Sequence, residues 1–136
     1  MLENKEKKIK IDIGCGTNKI EGFVGIDLDP KTNPDIVASA LDLPFETNSV
    51  DEVYSAHLGE HFDPTEAQQF FNEIYRVLKK DSKATIKVDK DWSKSRLMGK
   101  DPTHKYRYTE KEILKMLDKF SEKQVKDKIY FFKITQ

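Results

Sequence analysis

The sequence predicts a single α/β domain built on a mostly parallel β-sheet. Strand-like segments alternate with two well-marked helices, and this alternation is typical of parallel strands joined by crossovers. The chain of 136 residues is long enough for one domain with a buried core. Its single cysteine, Cys15, excludes an internal disulfide and fits a reducing compartment, so we predict a cytoplasmic protein.

Seven segments have the composition of strands, because apolar residues alternate with polar ones or run together between turn-forming residues. These segments are Lys8–Ile13, Phe23–Asp27, Ile36–Ala38, Asp51–Ala56, Ala84–Val88, Glu122–Lys126 and Lys128–Thr135. We therefore expect one sheet of about seven strands.

Two helices have clear start signals. The first begins after Asp63, with Pro64 at the first helical position and Glu66 as the capping-box residue. The second begins after Thr109, where Glu112 completes another capping box. Apolar residues recur at helical spacing behind each start, so each helix is predicted to pack one face on the sheet.

The connections in the first half of the chain, residues 14–23, 28–35 and 41–49, are too short or too rich in turn residues for regular helices. The first strand also alternates isoleucine with Lys10 and Asp12, and burying an unpaired lysine is costly. We therefore predict helices mainly on one face of the sheet. The opposite face would be wet, or covered by a second copy of the chain or a partner protein.

The charges are unevenly distributed along a chain whose formal net charge is zero. Residues 1–78 carry 15 acidic and 7 basic side chains, whereas residues 79–136 carry 9 acidic and 17 basic ones. This division predicts two electrostatic surfaces if the halves separate in space, although solvated lysine-rich helices would give the same counts. No segment is apolar and long enough for a membrane helix or a secretory signal, so we expect no membrane partner.

A glycine-rich turn joins the first two predicted strands. Gly14 and Gly16 let the backbone approach a ligand closely, and Asp27 ends the second strand where it can accept hydrogen bonds from both ribose hydroxyls. This pattern predicts a site for an adenosine-containing cofactor over the carboxyl ends of parallel strands. A nicotinamide cofactor is less well suited, because its fingerprint requires another glycine where this chain has Lys19.

Several segments, taken in order, resemble the class I S-adenosylmethionine-dependent methyltransferases. They are Ile11-Asp-Ile-Gly-Cys-Gly-Thr17, Gly25-Ile-Asp27, Asp42-Leu-Pro-Phe45, Leu58-Gly-Glu-His61 and Glu73-Ile-Tyr-Arg-Val-Leu-Lys79. The resemblance implies a Rossmann-like sheet with strand order 3-2-1-4-5-7-6 and an antiparallel last strand. It also implies a single methyltransferase-like domain over residues 1–136, with S-adenosyl-L-methionine as cofactor and S-adenosyl-L-homocysteine as product.

The resemblance further implies cofactor-binding roles for individual residues besides Gly14 and Gly16. Asp12 would hold the amino group of the cofactor, directly or through water, and Asp27 would bind the ribose diol. Asp42 would accept a hydrogen bond from the exocyclic amine of adenine, with Leu28 and Leu43 flanking the ring. Each acid also has an ordinary structural alternative, as a strand-end cap or as a turn residue near proline.

The segment after the fourth strand supplies the candidate catalytic residues. His61 and Glu60 are candidates for a general base, which is needed only if the acceptor must lose a proton. His57 would lie beside the cofactor, and each of these residues can equally be an ordinary helix-start residue. The histidines lack cysteine or carboxylate partners at ligand spacing, so we expect no metal site.

Residues 89–108 form a long polar segment that we predict to be a substrate-side loop. Its basic and aromatic side chains would suit an anionic acceptor, RNA included, although a solvated loop whose aromatic side chains fold onto the core is the favoured explanation. We expect methyl transfer to a small or sugar-like acceptor rather than to RNA. The alternative is a catalytically weak or inactive cofactor-binding scaffold that works with a partner.

Overall fold

The computed structural model describes residues 7–56, 58, 61–89, 109–126 and 129–135. The strands within these ranges are β1 (Lys10–Ile13), β2 (Val24–Asp27), β3 (Ile36–Val37), β4 (Val50–Ala56), β5 (Leu78–Asp89), β6 (Glu122–Lys126) and β7 (Ile129–Thr135). The helices there are α1 (Pro64–Val77) and α2 (Glu110–Met116), with one turn of 3₁₀-helix at Pro30–Thr32.

All seven strands belong to one sheet, whose order is β3-β2-β1-β4-β5-β7-β6. The first five strands pair in parallel, whereas β7 runs antiparallel to both β5 and β6. The predicted fold class, strand order and antiparallel last strand are therefore confirmed.

One strand begins much earlier than its sequence pattern predicts. β5 starts at Leu78 instead of Ala84, because Val50 pairs with Leu78 while Glu52 pairs with Lys83. Residues 79–82 therefore bulge out of the ladder, with one of them at a positive backbone φ of 66°. A bulge of polar residues breaks the two-residue alternation on which strand prediction depends.

Both helices begin where the capping signals place them. The Asp63 carboxylate accepts a hydrogen bond from the Glu66 N–H at 2.8 Å, and the Glu66 carboxylate accepts one from the Asp63 N–H at 3.1 Å. Thr109 and Glu112 form the same reciprocal pair at the start of α2. These two boxes satisfy backbone donors that a helix start otherwise leaves open.

The core lies on one face of the sheet. Phe70 and Ile74 of α1 and Ile113 of α2 are buried in the same cluster as the inward strand residues. The strand residues of this cluster include Ile11, Ile13, Ile26, Val53, Ala84 and Ile86. The prediction that the helices cover mainly one face therefore agrees with the packing of the described residues.

The opposite face carries partly exposed charged side chains. Lys10 Nζ lies 4.0 Å from Glu52 Oε1 on the neighbouring strand, and the two side chains are 40% and 44% exposed. Lys87 Nζ lies 5.5 Å from the centre of the Tyr54 ring. Because these charges keep contact with water, their burial penalty is avoided, as the alternation in β1 predicted.

Residues 7–56 are described without gaps, and they contain no α-helix. Turns connect β1 to β2, and the only helical element in this range is the 3₁₀ turn at Pro30–Thr32. The predicted absence of regular first-half helices is thus confirmed. None of the described helices is long and apolar enough to cross a membrane.

Candidate functional site

A cleft of about 210 Å³ opens at the carboxyl ends of the first three strands. In parallel α/β sheets this edge is where ligands usually bind, because the connecting loops diverge there. The residues that line the cleft are Ile13 and Gly14 after β1, Ile26, Asp27 and Leu28 at the end of β2, residues 38–41 after β3, and Leu58, Phe62 and Glu66.

The glycine turn forms the floor of the cleft. Gly14 has a φ of +70°, and its N–H donates a hydrogen bond to the Ile26 carbonyl at 2.7 Å, which ties the end of β1 to β2. A Cβ at Gly14 would lie 3.0 Å from a methyl carbon of Leu58. Glycine is therefore required here both by backbone conformation and by space.

Replacing Gly14 by alanine is expected to lower the free energy of unfolding by about 1–2 kcal/mol from the left-handed backbone alone, and by more from the contact with Leu58. Gly22→Ala is the matched control, because Gly22 also has a positive φ, of 86°, but open space at its Cβ position. Urea denaturation of the two variants measures the difference. Equal losses would show that the Leu58 contact is unimportant.

Asp27 is fixed at the cleft by two backbone donors. Its Oδ2 accepts a hydrogen bond from the Gly16 N–H at 2.9 Å, and its Oδ1 accepts one from the Asp29 N–H at 2.9 Å. A carboxylate has about four acceptor positions, so about two remain for a ligand. Two adjacent hydroxyls, such as a ribose diol, match this arrangement.

Asp12 lies under the glycine turn and is only 3% exposed. Burial raises the pKa of its carboxyl group to about 6, although a hydrogen bond from the Ile20 N–H lowers it in part. Among the described residues, Asp12 is not part of the cleft lining, but its neighbour Ile13 is. Asp12 is therefore next to the cleft in the chain, but its buried carboxylate is not one of the groups that line the cleft.

The structure brings some predicted adenine-side residues to the cleft and leaves others out. Leu28 lines the cleft and is 69% exposed. Leu43 is 3% exposed and belongs to the core, and Asp42 is exposed outside the cleft lining. The loop after β3 instead presents Ser39 and Leu41 to the cleft, although no sequence motif predicted a site role for these two residues.

A charged pair on α1 determines this loop conformation. Arg76 donates to the Leu43 carbonyl at 3.0 Å and to the Phe45 carbonyl at 2.8 Å, and Glu73 accepts from the Leu43 N–H at 2.8 Å. Arg76 and Glu73 also bind each other, with Nε 2.6 Å from Oε2. Burial raises the pKa of Glu73, but the hydrogen bonds from Arg76 and Leu43 outweigh it, so the pKa lies below its ordinary value.

The candidate catalytic segment is only partly described. The His61 N–H donates a hydrogen bond to the carbonyl of Leu58, which lines the cleft, at 3.0 Å. His61 itself is not among the lining residues. His57 and Glu60 lie outside the described residues, as does the predicted substrate-side loop from residue 90 to residue 108.

Phe62 and Glu66 also line the cleft, and neither was predicted as a site residue. The capping box of α1 already explains a glutamate at position 66, so the sequence pattern indicated no second role for it. The part of the chain that the structure describes contains no group of three or more histidine, cysteine or acidic side chains that could hold a metal ion.

The cleft fits S-adenosylmethionine by the chemistry of its lining. A backbone-anchored carboxylate suits a ribose diol, and apolar side chains such as Leu28 and Leu41 suit a flat base. At Gly14 the backbone lies so close to Leu58 that a Cβ would crowd the floor of the cleft.

Comparison with protein-family models finds a match to the methyltransferase domain over residues 11–86, which is more than half of the chain. A comparison with curated protein sequences finds no match. Among solved structures, a SAM-dependent methyltransferase from Archaeoglobus fulgidus is 22% identical with a TM-score of 0.75, covering 86% of this chain and 62% of its own. The chain thus spans less than two thirds of that relative.

Two further structures show the same fold at low sequence identity. A phosphoethanolamine N-methyltransferase from Haemonchus contortus, in complex with phosphomonomethylethanolamine and S-adenosylhomocysteine, is 22% identical with a TM-score of 0.67, covering 88% of this chain and 34% of its own. A methyltransferase in complex with the Haloferax volcanii Trm112 activator is 15% identical with a TM-score of 0.71, covering 96% of this chain and 83% of its own. By its family match and its fold, the chain belongs to the S-adenosylmethionine-dependent methyltransferase domain family.

Proposed function

We propose that this protein transfers a methyl group from S-adenosylmethionine to a small or sugar-like acceptor and releases S-adenosylhomocysteine. The observation that carries the proposal is the Asp27 carboxylate, held by the Gly16 and Asp29 N–H groups at the mouth of the cleft. It stands where the ribose of the family's cofactor would be bound, at the carboxyl end of the second strand.

The remaining cofactor contacts follow from the residues around Asp27. Leu28 and Leu41 are placed to flank the adenine, in place of the pair Leu28 and Leu43. Asp12, which is buried in β1 beside the turn, would attract the amino group of the cofactor, directly or through water. Gly14 would bring the main chain of the turn close to the ligand at the floor of the cleft, where a Cβ would crowd Leu58.

When bound, the cofactor supplies an electrophilic methyl group on a positively charged sulfur that is a good leaving group. The protein residues then contribute mainly by binding and orienting the two reactants. His61 follows the cleft residue Leu58 by one turn, and we propose it as the base for acceptors that must lose a proton. Glu60 is proposed as a second candidate base, and His57 is proposed as a residue that lies beside the cofactor.

The preference for a small acceptor over RNA is supported by a relative of the same fold. The Haemonchus enzyme of the same fold is bound to a small phosphorylated amine. RNA remains the alternative acceptor, because the segment 89–108 is rich in basic and aromatic residues that suit a polyanion.

A scaffold role with a partner protein is the alternative from another functional class. Its support is the charged, partly exposed sheet face around Lys10 and Glu52, and the activator-bound state of the Haloferax relative. Size-exclusion chromatography with light scattering tests whether a second copy covers this face, and a monomer at all concentrations would argue against it.

The cofactor proposal is tested by thermal or chemical unfolding with S-adenosylhomocysteine. At a ligand concentration of about 100 times Kd, the free energy of unfolding is expected to rise by about 2.7 kcal/mol. Asp27→Asn is expected to lose most of this gain, because it replaces a charged acceptor of the ribose hydroxyls. No gain with either the cofactor or its product would overturn the proposal.

Turnover distinguishes the enzyme from the scaffold. Release of S-adenosylhomocysteine is followed with a panel of small amines, phosphorylated amines, sugars and a structured RNA. Release with a small acceptor is the expected result. Binding of the cofactor without turnover on any member of the panel would favour the scaffold function.

A further inference from the structure

We propose that Glu66 is the residue that selects adenine in the cofactor cleft, by accepting a hydrogen bond from the exocyclic amino group of the base. This inference rests on the proposed function and names a specificity-determining residue of the same site. It replaces Asp42, which lies exposed outside the cleft lining.

The position of Glu66 follows from a hydrogen bond between α1 and the loop after β3. Gln69 Nε2 donates a hydrogen bond to the Leu41 carbonyl at 3.0 Å. Glu66 lies three residues earlier in α1, and residues three apart on a helix are neighbours on one face. Both Leu41 and Glu66 line the cleft, so Glu66 stands on the side of the cleft where the base would lie.

Glu66 keeps an acceptor for the ligand after its structural role is met. Its Oε1 accepts from the Asp63 N–H at 3.1 Å, which completes the capping box. Its Oε2 has no hydrogen-bond partner among the described residues. The capping box needs only one of the two oxygens, and a glutamine at this position would satisfy it equally well.

The other polar side chains of the cleft are less suited to accept a hydrogen bond from the base, because each already accepts one from the backbone or offers a donor in place of an acceptor. Asp27 is held at the end of β2 by the Gly16 and Asp29 N–H groups, on the ribose side. The hydroxyl of Ser39 accepts from the Leu41 N–H at 3.1 Å, so its proton remains available to a ring nitrogen. Glu66 is therefore the described carboxylate that is available to the base.

Adenine and hypoxanthine differ at the atom that Glu66 would contact. Adenine carries an amino group at this position, which donates to a carboxylate, whereas hypoxanthine carries a carbonyl oxygen, which a carboxylate repels. A glutamine side chain can donate to the carbonyl or accept from the amine, so it should not distinguish the two bases strongly.

Isothermal titration calorimetry with S-adenosylhomocysteine and its deaminated analogue, S-inosylhomocysteine, tests the assignment. The wild-type protein is expected to bind the adenine form at least roughly tenfold more tightly, since a charged hydrogen bond is exchanged for a repulsion. Glu66→Gln is expected to reduce this preference to about threefold or less while the protein remains folded. Glu112→Gln makes the same change in the capping box of α2, outside the cleft lining, and should keep the wild-type preference.

Two results would overturn the assignment in distinguishable ways. Equal binding of the two ligands by the wild-type protein, or an unchanged preference in Glu66→Gln, would remove Glu66 from base recognition and leave the proposed function intact. No binding of either ligand by the wild-type protein would overturn the proposed function together with the assignment.

Discussion

Replacing Arg76 by alanine is expected to lower the free energy of unfolding by about 3 kcal/mol, because it removes the ion-pair partner of a mostly buried carboxylate and the donor of two carbonyl groups. The Glu73 side chain is only 15% exposed and would lose its ion pair. The Leu43 and Phe45 carbonyls would lose bonds of 3.0 and 2.8 Å. Urea denaturation at neutral pH measures the loss.

The same substitution is expected to weaken binding of S-adenosylhomocysteine. Arg76 fixes the loop at Leu43, and Leu41 of the same loop lines the cleft. A released loop must be ordered again on binding, which costs affinity. Calorimetry on the folded variant separates this effect from the loss of stability.

Lys79→Ala is the matched control for Arg76→Ala. Lys79 Nζ lies 3.0 Å from Asp51 Oδ1, but the lysine side chain is 41% exposed and water can replace the pair. Its removal is expected to cost at most about 1 kcal/mol. A similar cost for Lys79→Ala and Arg76→Ala would contradict the view that the α1 pair is a structural clamp.

The double variant Arg76→Ala/Glu73→Ala provides an internal check. Because the two side chains are in direct contact, its loss of stability should be smaller than the sum of the two single losses. Additive losses would show that the two residues act independently on the loop.

The sheet could be predicted because its signals are local. The alternation in β1 predicts which face is charged, and the two capping boxes mark the helix starts within one residue. The motif residues Gly14 and Asp27 were likewise placed at the cleft, since each belongs to a strand end whose position follows from the strand itself. In these cases the residues within one strand or at one helix start are sufficient for the prediction.

The loop after β3 could not be predicted in the same way. Which of its side chains faces the cleft depends on hydrogen bonds from Glu73 and Arg76, which lie about 30 residues further along the chain. These bonds turn Leu43 into the core and leave Leu41 at the cleft. Glu66 was not predicted as a site residue for a different reason. The capping box of α1 already explains a glutamate at this position, and only the folded structure shows that the residue also lines the cleft.

Asp12 is expected to reduce the stability of the ligand-free protein at neutral pH. Its pKa of about 6 in the folded protein is above the ordinary value of 3.8, so the folded protein holds this proton more tightly than the unfolded chain does. The stability contributed by this group is therefore greatest below pH 3.8 and falls as the pH rises to about 6. The total fall is about 3 kcal/mol.

Asp12→Asn should remove this pH dependence, because asparagine stays neutral. Relative to the wild-type protein, the variant is expected to gain about 2 kcal/mol of unfolding free energy between pH 4.5 and pH 7.5. Urea denaturation at a series of pH values measures the difference. Asp118→Asn, which changes an exposed carboxylate after α2, should show no such gain.

The same substitution tests the proposal that the charge of Asp12 helps to hold the cofactor. If Asp12 faces the amino group of the ligand, S-adenosylhomocysteine should bind the wild-type protein less tightly as the pH falls below about 6, where the carboxylate becomes protonated. Asp12→Asn should bind S-adenosylhomocysteine about tenfold more weakly than the wild-type protein does at pH 7.5. The affinity of the variant should change little as the pH is lowered. A variant that is both more stable and equally tight in binding would show that the buried charge has no role in holding the cofactor.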